Sequence, residues 1–264
     1  MTAASEGVVR TERHDHVLLI RINRPERLNA VDRAVARGIG DAIEEAETDP
    51  RIRAVVLTGT GRAFCAGADL KASAAGEAIN HLEEPYASWR FAGFVRHPRS
   101  VPVIAAVNGL AHGGGMELVL ASELAVAADT ATFALSEVAH GVIAGGGAAI
   151  RLIRHVPDKV AMHLLLTGDR ITAGRALELG VVNEVVPPDQ VLSAAMSLAH
   201  KVAGMAPLAV QATTRLAAAV RAGQREDELW ERSRSESRAL HASADAIEGK
   251  QAFVEKRAPH WRAR

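Results

Sequence analysis

The chain has 264 residues, of which 48% are hydrophobic and 23% are charged, so it is long enough to bury a full core as an ordinary globular protein. Basic and acidic residues both number 31, which leaves no net charge to attract nucleic acid or an anionic membrane surface. Aromatic residues make up only 3%, too few to build stacking platforms for single-stranded nucleic acid.

The sequence predicts a cytoplasmic protein with neither nucleic acid nor membrane as a partner. Residues 1–13 are polar, carry both signs of charge and lack the apolar segment of a secretory signal. No apolar run is long enough to span a bilayer. The single cysteine, Cys65, cannot form an intrachain disulfide, which fits a reducing compartment.

Strands and helices are predicted to alternate through the first two thirds of the chain. Val17–Ile22 is a β-branched apolar run typical of a buried strand, and residues 32–47 place apolar side chains on one helical face. With a strand at 54–58 they form a predicted βαβ unit. The further predicted strands are 102–107 and 124–128, and the further predicted helices are 116–122 and 146–155. This alternation indicates an α/β core built in successive turns.

Two other regions depart from that alternation. Residues 72–96 have weak periodicity and mixed charge, which predicts a partly helical, mobile cover over a site. Beyond Pro187 and Pro188 the predicted helices are 190–203, 207–222, 226–241 and 244–255. We therefore expect an α/β core with the active site over residues 1–188, and a C-terminal helical region over 189–264 that packs against neighbouring subunits.

Two glycine-containing turns point to a site for a carbonyl group. The stretch 108–117 carries a triple glycine after an apolar run and ends at Glu117, and the stretch 64–71 follows another strand. Glycine lets a ligand approach the main chain closely, and amides at a helix start are unsatisfied donors, so two such turns can form an oxyanion hole. Glu137 supplies a second carboxylate 20 residues after Glu117. Two amides with two carboxylates suit chemistry next to a carbonyl.

These residues resemble those of the crotonase superfamily, the enoyl-CoA hydratases and isomerases, and most of all a hydratase. The matching stretches are 24–30, 64–71, 104–117, 165–168, 176–183 and 248–256. The tail ending at Trp261 is also similar to branches that include carnitinyl-CoA dehydratases. The resemblance implies a crotonase-like spiral of ββα turns whose C-terminal helices mediate homotrimers, usually paired into homohexamers. It also suggests a place in fatty acid β-oxidation.

The same resemblance implies a reaction and the residues that carry it. The backbone amides of Ala68 and Gly114 would hold the thioester oxygen of a 2-trans-enoyl-CoA. Glu137 would protonate Cα, and Glu117 would orient and help deprotonate the water. Such a reaction needs neither a metal nor a redox cofactor, because coenzyme A is part of the substrate. Family isomerases commonly keep one glutamate of this pair, so keeping both favours a hydratase.

Contacts to coenzyme A are implied in three parts of the chain. The main-chain contacts to adenine and pantetheine are expected around Leu28, Ala30, Ala66 and Asp69. Contacts to phosphates are expected at Arg27 and Lys71, and contacts to a neighbouring subunit's ligand at Phe253 and Lys256. Gly145 is expected to open the helix beneath the thioester and to leave room for the water.

Several of these residues also have simpler interpretations. Glu117 alone could stabilise a helix start, and Asp69 is best interpreted as a helix cap or turn residue. His112 and His140 form no metal-binding set, so a pocket-wall or hydrogen-bonded role is favoured for both, and Cys65 is expected to be a small buried hydrophobe.

The surroundings of Glu137 depart from the family pattern at Ser136, His140 and Ala144, which leaves the substrate open. The alternatives within the family are carnitinyl-CoA dehydration and double-bond isomerisation. A hypothesis from another class is a non-catalytic acyl-CoA binding protein.

Overall fold

The computed structural model describes residues 7–76 and 83–263. Its strands are β1 Val9–His14, β2 Val17–Ile22, β3 Ala54–Gly59, β4 Ala63–Cys65, β5 Val103–Val107, β6 Leu110–His112, β7 Leu124–Ala128, β8 Thr132–Ala134, β9 Ile171–Thr172 and β10 Glu184–Val186. Its α-helices are α1 Arg33–Thr48, α2 Leu70–Ala74, α3 Tyr86–Trp89, α4 Gly114–Ala121, α5 Ala148–His155, α6 Asp158–Thr167, α7 Ala173–Glu178, α8 Val191–Ala203, α9 Pro207–Arg221, α10 Glu226–His241 and α11 Ala244–Glu255. Short 3-10 helices cover Pro25–Arg27, Phe91–Gly93, Glu137–His140 and Pro188–Gln190.

The larger sheet has six strands in the order β1-β2-β3-β5-β7-β10. All neighbours are parallel except β1 and β2, which pair antiparallel. Every residue of β3 and β5 is buried. A parallel strand covered on both faces needs such a continuous apolar run, which is why the sequence located these two strands.

The smaller sheet has four strands in the order β4-β6-β8-β9. Successive strands of the chain alternate between the sheets, since β3, β5 and β7 enter the larger sheet while β4, β6 and β8 enter the smaller one. Helices α2, α4 and α5 follow these strand pairs in turn. The predicted spiral of ββα turns is therefore confirmed.

Helices α1 and α8 both pack on the larger sheet. The Asp32 carboxylate caps α1 by accepting a hydrogen bond from the Val35 amide at 2.9 Å. Helix α8 buries Val191, Ala195, Ala199 and Ala203 at a spacing of one helical turn, and it contacts β3, β5 and β7. Helix α8 thus contributes to the same core as the sheet, and the division at residue 188 stays a prediction.

The remaining C-terminal helices are more exposed. Helices α9 and α10 are joined by Arg215, whose guanidinium donates to both carboxylate oxygens of Glu236 at 2.8 and 2.7 Å. Helix α10 has no buried residue of its own. Within the described ranges no single helix has the length and apolar composition to cross a membrane, although Pro188–Ala203 and Pro207–Arg221, bent by 106°, pass that test as a pair.

The structure differs from the sequence prediction in several elements. The helices expected at 116–122 and 146–155 begin at Gly114 and Ala148. Strand β1 is not predicted from the sequence, because it is an edge strand whose sequence, VRTERH, has too few apolar residues to show a strand pattern. In the segment 72–96 the structure has the end of α2, then α3 and Phe91–Gly93, while residues 77–82 of that expected cover lie outside the described part.

Candidate active site

The two glycine turns meet at the start of α4. A methyl group added at Gly67 would lie 2.9 Å from the Gly114 nitrogen and 2.9 Å from the His112 oxygen. One added at Gly115 would lie 2.0 Å from the Cys65 oxygen. Any side chain at these positions would therefore force the segments apart. Glycine is required because main chain packs directly on main chain.

Ala68 and Gly114 are the two residues whose amides the sequence predicts to hold a ligand oxygen. Both residues line a cavity of about 1410 Å³ that runs from this junction along α4. Among the described residues, neither amide donates a backbone hydrogen bond, although the neighbouring Asp69 amide donates to the Val31 oxygen at 2.9 Å. Gly114 is the first residue of α4, where the partial positive charge of the helix end favours negative charge on a ligand. These amides can act as donors to a ligand oxygen.

Glu117 lies one turn into α4 and is only 3% exposed. Its Oε1 accepts a hydrogen bond from the Ala148 amide at 3.1 Å. The pKa of Glu117 is raised to about 7, because burial and the nearby Glu137 charge raise it more than the hydrogen bonds from the Ala148 and Gly146 amides lower it. A carboxyl group that ionises near neutral pH can exchange a proton with a substrate.

Glu137 begins the 3-10 helix that follows β8 and lines the same cleft. Its Oε2 is buried and accepts no hydrogen bond from the described residues, and burial raises its pKa. A methyl group at Gly113 would lie 3.3 Å from Glu137 Oε1, so this carboxylate lies against the start of α4. The structure thus brings both predicted carboxylates and both predicted amides to one cleft.

Gly146, rather than Gly145, makes the close approach to Glu117. A methyl group at Gly146 would lie 2.1 Å from Glu117 Oε2, whereas one at Gly145 would touch only Ile143, at 3.7 Å or more. Gly145 lines the cleft but does not open the helix, because α5 begins three residues later at Ala148. The sequence found this glycine cluster but not the member that contacts the carboxylate.

Arg151 is a site residue that the sequence did not indicate. It lies on α5, and its guanidinium donates to the carbonyl oxygens of Gly146, at 3.4 Å, and of Val95. Its charge lowers the pKa of Glu117. An arginine on a helix looks like a solvated charge in sequence, and only its contact with the distant Val95 reveals that it lies in the cleft.

The predicted main-chain cradle for coenzyme A is assembled next to the cleft. The Ala66 amide donates to the Leu28 oxygen at 3.0 Å, which joins the two halves of the cradle. Asp69 caps α2 by accepting from the Lys71 and Ala72 amides, in agreement with its interpretation as a cap. Arg24, whose role is not evident from sequence, donates to the Ala30 oxygen at 2.7 Å and to the Asp69 carboxylate at 3.1 Å.

The charged and apolar residues predicted to touch coenzyme A are at the surface. Arg27 and Lys71 are exposed and lie outside the lining of the cleft. Phe253 is 84% exposed and lines a different cavity, among α9, α11 and Trp261. Lys256 is the exposed C-terminal cap of α11. Within one chain these tail residues are not brought to the cleft, so their predicted contact with a neighbour's ligand stays a prediction.

The histidines and the cysteine have local partners. His112 Nε2 lies 3.0 Å from Thr132 Oγ1, and His140 Nδ1 lies 3.0 Å from the Ser136 oxygen. Burial raises the pKa of the Cys65 thiol to about 12, which suits the expected small hydrophobe and not a nucleophile. Over residues 7–76 and 83–263, no group of three His, Cys, Asp or Glu side chains is placed to hold a metal ion.

Comparison with known proteins identifies the class to which this fold and cleft belong. The two sheets wound by ββα turns, with a cleft at the start of α4, are those of the crotonase fold. The family profile described as enoyl-CoA hydratase/isomerase matches residues 12–264. The chain belongs to this enoyl-CoA hydratase/isomerase family, as its resemblance to the crotonase superfamily predicted.

Relatives carry two different names. A carnitinyl-CoA dehydratase of Proteus mirabilis is 39% identical over 255 residues, which are 94% of this chain and 95% of that one. Among solved structures, an enoyl-CoA hydratase of Mycobacterium tuberculosis has 42% identity and a TM-score of 0.92, over 98% of this chain and 100% of that one. A carnitinyl-CoA dehydratase of Mycobacterium avium has 50% identity and a TM-score of 0.77 over the same shares. An acyl-CoA thioester substrate fits this family.

Proposed function

We propose that this chain is an enoyl-CoA hydratase, which adds water in a syn addition to a 2-trans-enoyl-CoA and gives the 3-hydroxyacyl-CoA. The observation that carries the proposal is the pair Glu117 and Glu137, two carboxyl groups with raised pKa values on one cleft. They lie beside the Ala68 and Gly114 amides, which are suited to hold a thioester oxygen.

In the proposed reaction the oxygen of water bonds to Cβ while Glu117 accepts a proton from that water. The electrons of the double bond move towards the thioester carbonyl, and its oxygen takes on enolate charge that the Ala68 and Gly114 amides stabilise. Glu137 then delivers a proton to Cα, which restores the thioester. Each such amide donor is worth roughly 3–4 kcal/mol of transition-state stabilisation. Every proton comes from the water or the carboxyl pair, so the proposed reaction uses no redox cofactor.

Removing either carboxylate should abolish most hydration. We expect Glu137→Gln and Glu117→Gln each to lower kcat about a hundredfold or more, because each variant removes one partner of general acid–base catalysis. The measurement is loss of absorbance at the enoyl-thioester band with purified protein. The exposed Glu178→Gln on α7, which changes the same side chain away from the cleft, should leave the rate unchanged.

A Glu137→Gln variant with an unchanged hydration rate would refute this assignment. A chain that binds acyl-CoA tightly but never hydrates any chain length would instead be a non-catalytic binding protein.

Carnitinyl-CoA dehydration is the second candidate, because relatives with 39% and 50% identity bear that name. It is the elimination counterpart of hydration and would use the same two carboxyl groups. Isomerisation is the third candidate, in which one glutamate suffices to move a proton. Assays with a 2-enoyl-CoA, with carnitinyl-CoA and with a 3-enoyl-CoA separate the three reactions.

A further inference from the structure

Six arginines line the cleft, and the four on α5, α9 and the segment before β5 have no direct contact with the reacting atoms in the proposed hydration. Helix α4 spans the cleft from the Gly114 amide to Ala121, which is about 10 Å along the helix axis. The four arginines come from three segments: Arg99 precedes β5 and donates to the Ala121 oxygen, Arg151 and Arg154 lie on α5, and Arg221 ends α9 and accepts from Arg154 through its carbonyl oxygen. We call Arg99, Arg151, Arg154 and Arg221 the arginine cluster.

The arginine cluster is short of negative charge. Arg99 and Arg221 share one carboxylate, Glu123 Oε1, at 3.3 and 3.6 Å, and this carboxylate also accepts from the Val103 amide. Arg151 and Arg154 are bonded only to carbonyl oxygens, and across the described residues neither has a carboxylate within 4.0 Å. Carbonyl oxygens satisfy the donors of a guanidinium but do not neutralise its charge.

The pKa shifts in and beside the arginine cluster agree with its shortage of negative charge. Burial and the neighbouring Arg99 and Arg221 charges lower the pKa of Arg151, and the Glu117 and Glu123 charges offset this shift only in part. His155 in the same lining has its pKa lowered by burial and by Arg221. Cations this near one another repel, more strongly at the partly buried Arg99 and Arg151 than at the exposed Arg154 and Arg221. An anion bound among them would relieve it.

The position of the arginine cluster decides which part of a substrate would supply that anion. The predicted coenzyme A cradle, Leu28 to Ala30 and Ala66 to Asp69, lies at the opposite end of α4, next to Gly114. The wall of the same cleft carries the exposed apolar side chains of Val142, Ile143 and Ile150. Such a wall fits an aliphatic chain that runs from the thioester towards the cluster.

We propose that the arginine cluster binds a carboxylate at the far end of the acyl chain, so that the preferred substrates are 2-enoyl-CoA thioesters of dicarboxylic acids. This proposal rests on the proposed hydratase function for the direction in which the acyl group lies. Guanidinium groups pair with carboxylates through two parallel hydrogen bonds, which gives direction as well as affinity. An acyl group that carries a quaternary ammonium would meet four arginines with only the Glu123 carboxylate among them, and is disfavoured by this excess of like charge.

The test compares pairs of 2-enoyl-CoA substrates of equal length, one ending in a methyl group and one in a carboxylate. We expect kcat/KM for the carboxylate member to be about tenfold higher or more at the length that reaches the arginine cluster, since a charge-assisted hydrogen bond contributes on that scale. Arg154→Gln should lower kcat/KM for the carboxylate member about tenfold more than for the methyl member. The exposed Arg175→Gln on α7, paired with Glu178, is the matched control and should not change the ratio.

Equilibrium binding keeps the proposal testable if hydration itself is absent. Saturated acyl-CoA pairs that end in methyl or carboxylate should show the same preference and the same loss in Arg154→Gln, whether or not any enoyl-CoA is turned over. Free coenzyme A is the third ligand. The proposal is overturned if Arg154→Gln weakens all three ligands alike, which would make the arginine cluster a phosphate contact, or if the methyl member is bound equally well at every length.

Discussion

Glu117 and Glu137 are useful to the proposed chemistry only while they share one proton. Burial raises both pKa values, and the charge of Glu137 adds to the shift at Glu117. Ionising both would place two negative charges on one partly buried cleft, which is why the second proton is retained until near neutral pH. The pair is then one carboxylate and one carboxylic acid, as a base and an acid require.

The pH dependence of hydration should follow this shared proton. At low pH both groups are protonated and no base is present, so kcat/KM should rise as the first proton is lost. It should fall as pH rises through about 7, where the pair loses its second proton. Initial rates over a pH series measure both limbs. In Glu137→Gln the residual rate should rise with pH and keep no alkaline fall, and a wild-type rate that keeps rising above pH 7 would contradict the shared proton.

At the scale of single elements, the segment that leads into α5 packs so closely on Glu117 that a methyl group at Gly146 has no space. Gly146→Ala would place a carbon 2.1 Å from Glu117 Oε2, so the carboxylate must move. We expect kcat to fall about a hundredfold, since a displacement near 1 Å of a catalytic group can cost that much. Gly145→Ala meets only Ile143 at ordinary contact distance and should cost less. Steady-state kinetics of both variants show which glycine is needed to keep Glu117 in place. Equal losses of kcat in the two variants would contradict the role of Gly146.

The turn before α1 depends on one buried amide side chain. Asn29 is fully buried, and its Nδ2 donates to the Thr60 and Ala63 oxygens at 2.9 and 2.8 Å, while its Oδ1 accepts from the Arg24 amide at 2.9 Å. Its φ of 57° is a left-handed conformation that asparagine tolerates better than alanine. These contacts hold the 24–30 segment against the strand that leads to Ala66.

Asn29→Ala should lower the free energy of unfolding by about 3 kcal/mol, because one buried and two partly buried backbone groups lose their partner. Denaturant unfolding measures the change. The exposed Asn183, whose side chain accepts one hydrogen bond from the Ala125 amide, is the control, and Asn183→Ala should cost about 1 kcal/mol. Similar costs for the two variants would show that Asn29 does not hold this turn.

For the whole molecule, the exposed apolar surface of α11 agrees with the expected assembly. Phe253 and Val254 are 84% and 78% exposed beside the groove that Trp261 lines. We expect a trimer or hexamer by sedimentation, and we expect Phe253→Asp to weaken it. Leu166→Asp, which adds the same charge at a 65% exposed position on α6, is the control. A fully active wild-type monomer would contradict the prediction.

The sequence predicted the buried strands of the larger sheet better than it predicted the short strands of the smaller sheet. Strands β2 and β7 have the predicted bounds because strands inside this sheet are almost wholly apolar, with Arg21 as the one charged residue of the two. The smaller sheet escaped prediction because its strands have only two or three residues, too few to show a period of two. The ββα turns share one backbone fold but show no repeat in sequence, because the side chains of each turn pack against different residues.

The site was predicted where the residues are chemically unusual and missed where only position matters. Two glutamates and a glycine run are visible in any reading of the chain. Arg151 and Gly146 are ordinary residue types. Their roles come from contacts with residues far away in sequence, Arg151 with Val95 and Gly146 with Glu117. The offset between Gly145 and Gly146 is one residue, a difference that only coordinates resolve.

The contact between Gly67 and Gly114 has a consequence for engineering. The groups proposed to hold the thioester oxygen are the backbone amides of Ala68 and Gly114. The proposed preference for an acyl tail depends instead on side chains in other parts of the chain. Helix α9 can be rewritten to admit new tails while these amides, and the contact of Ala148 with Glu117, stay intact. A library confined to that helix should therefore yield catalysts with altered selectivity at preserved turnover.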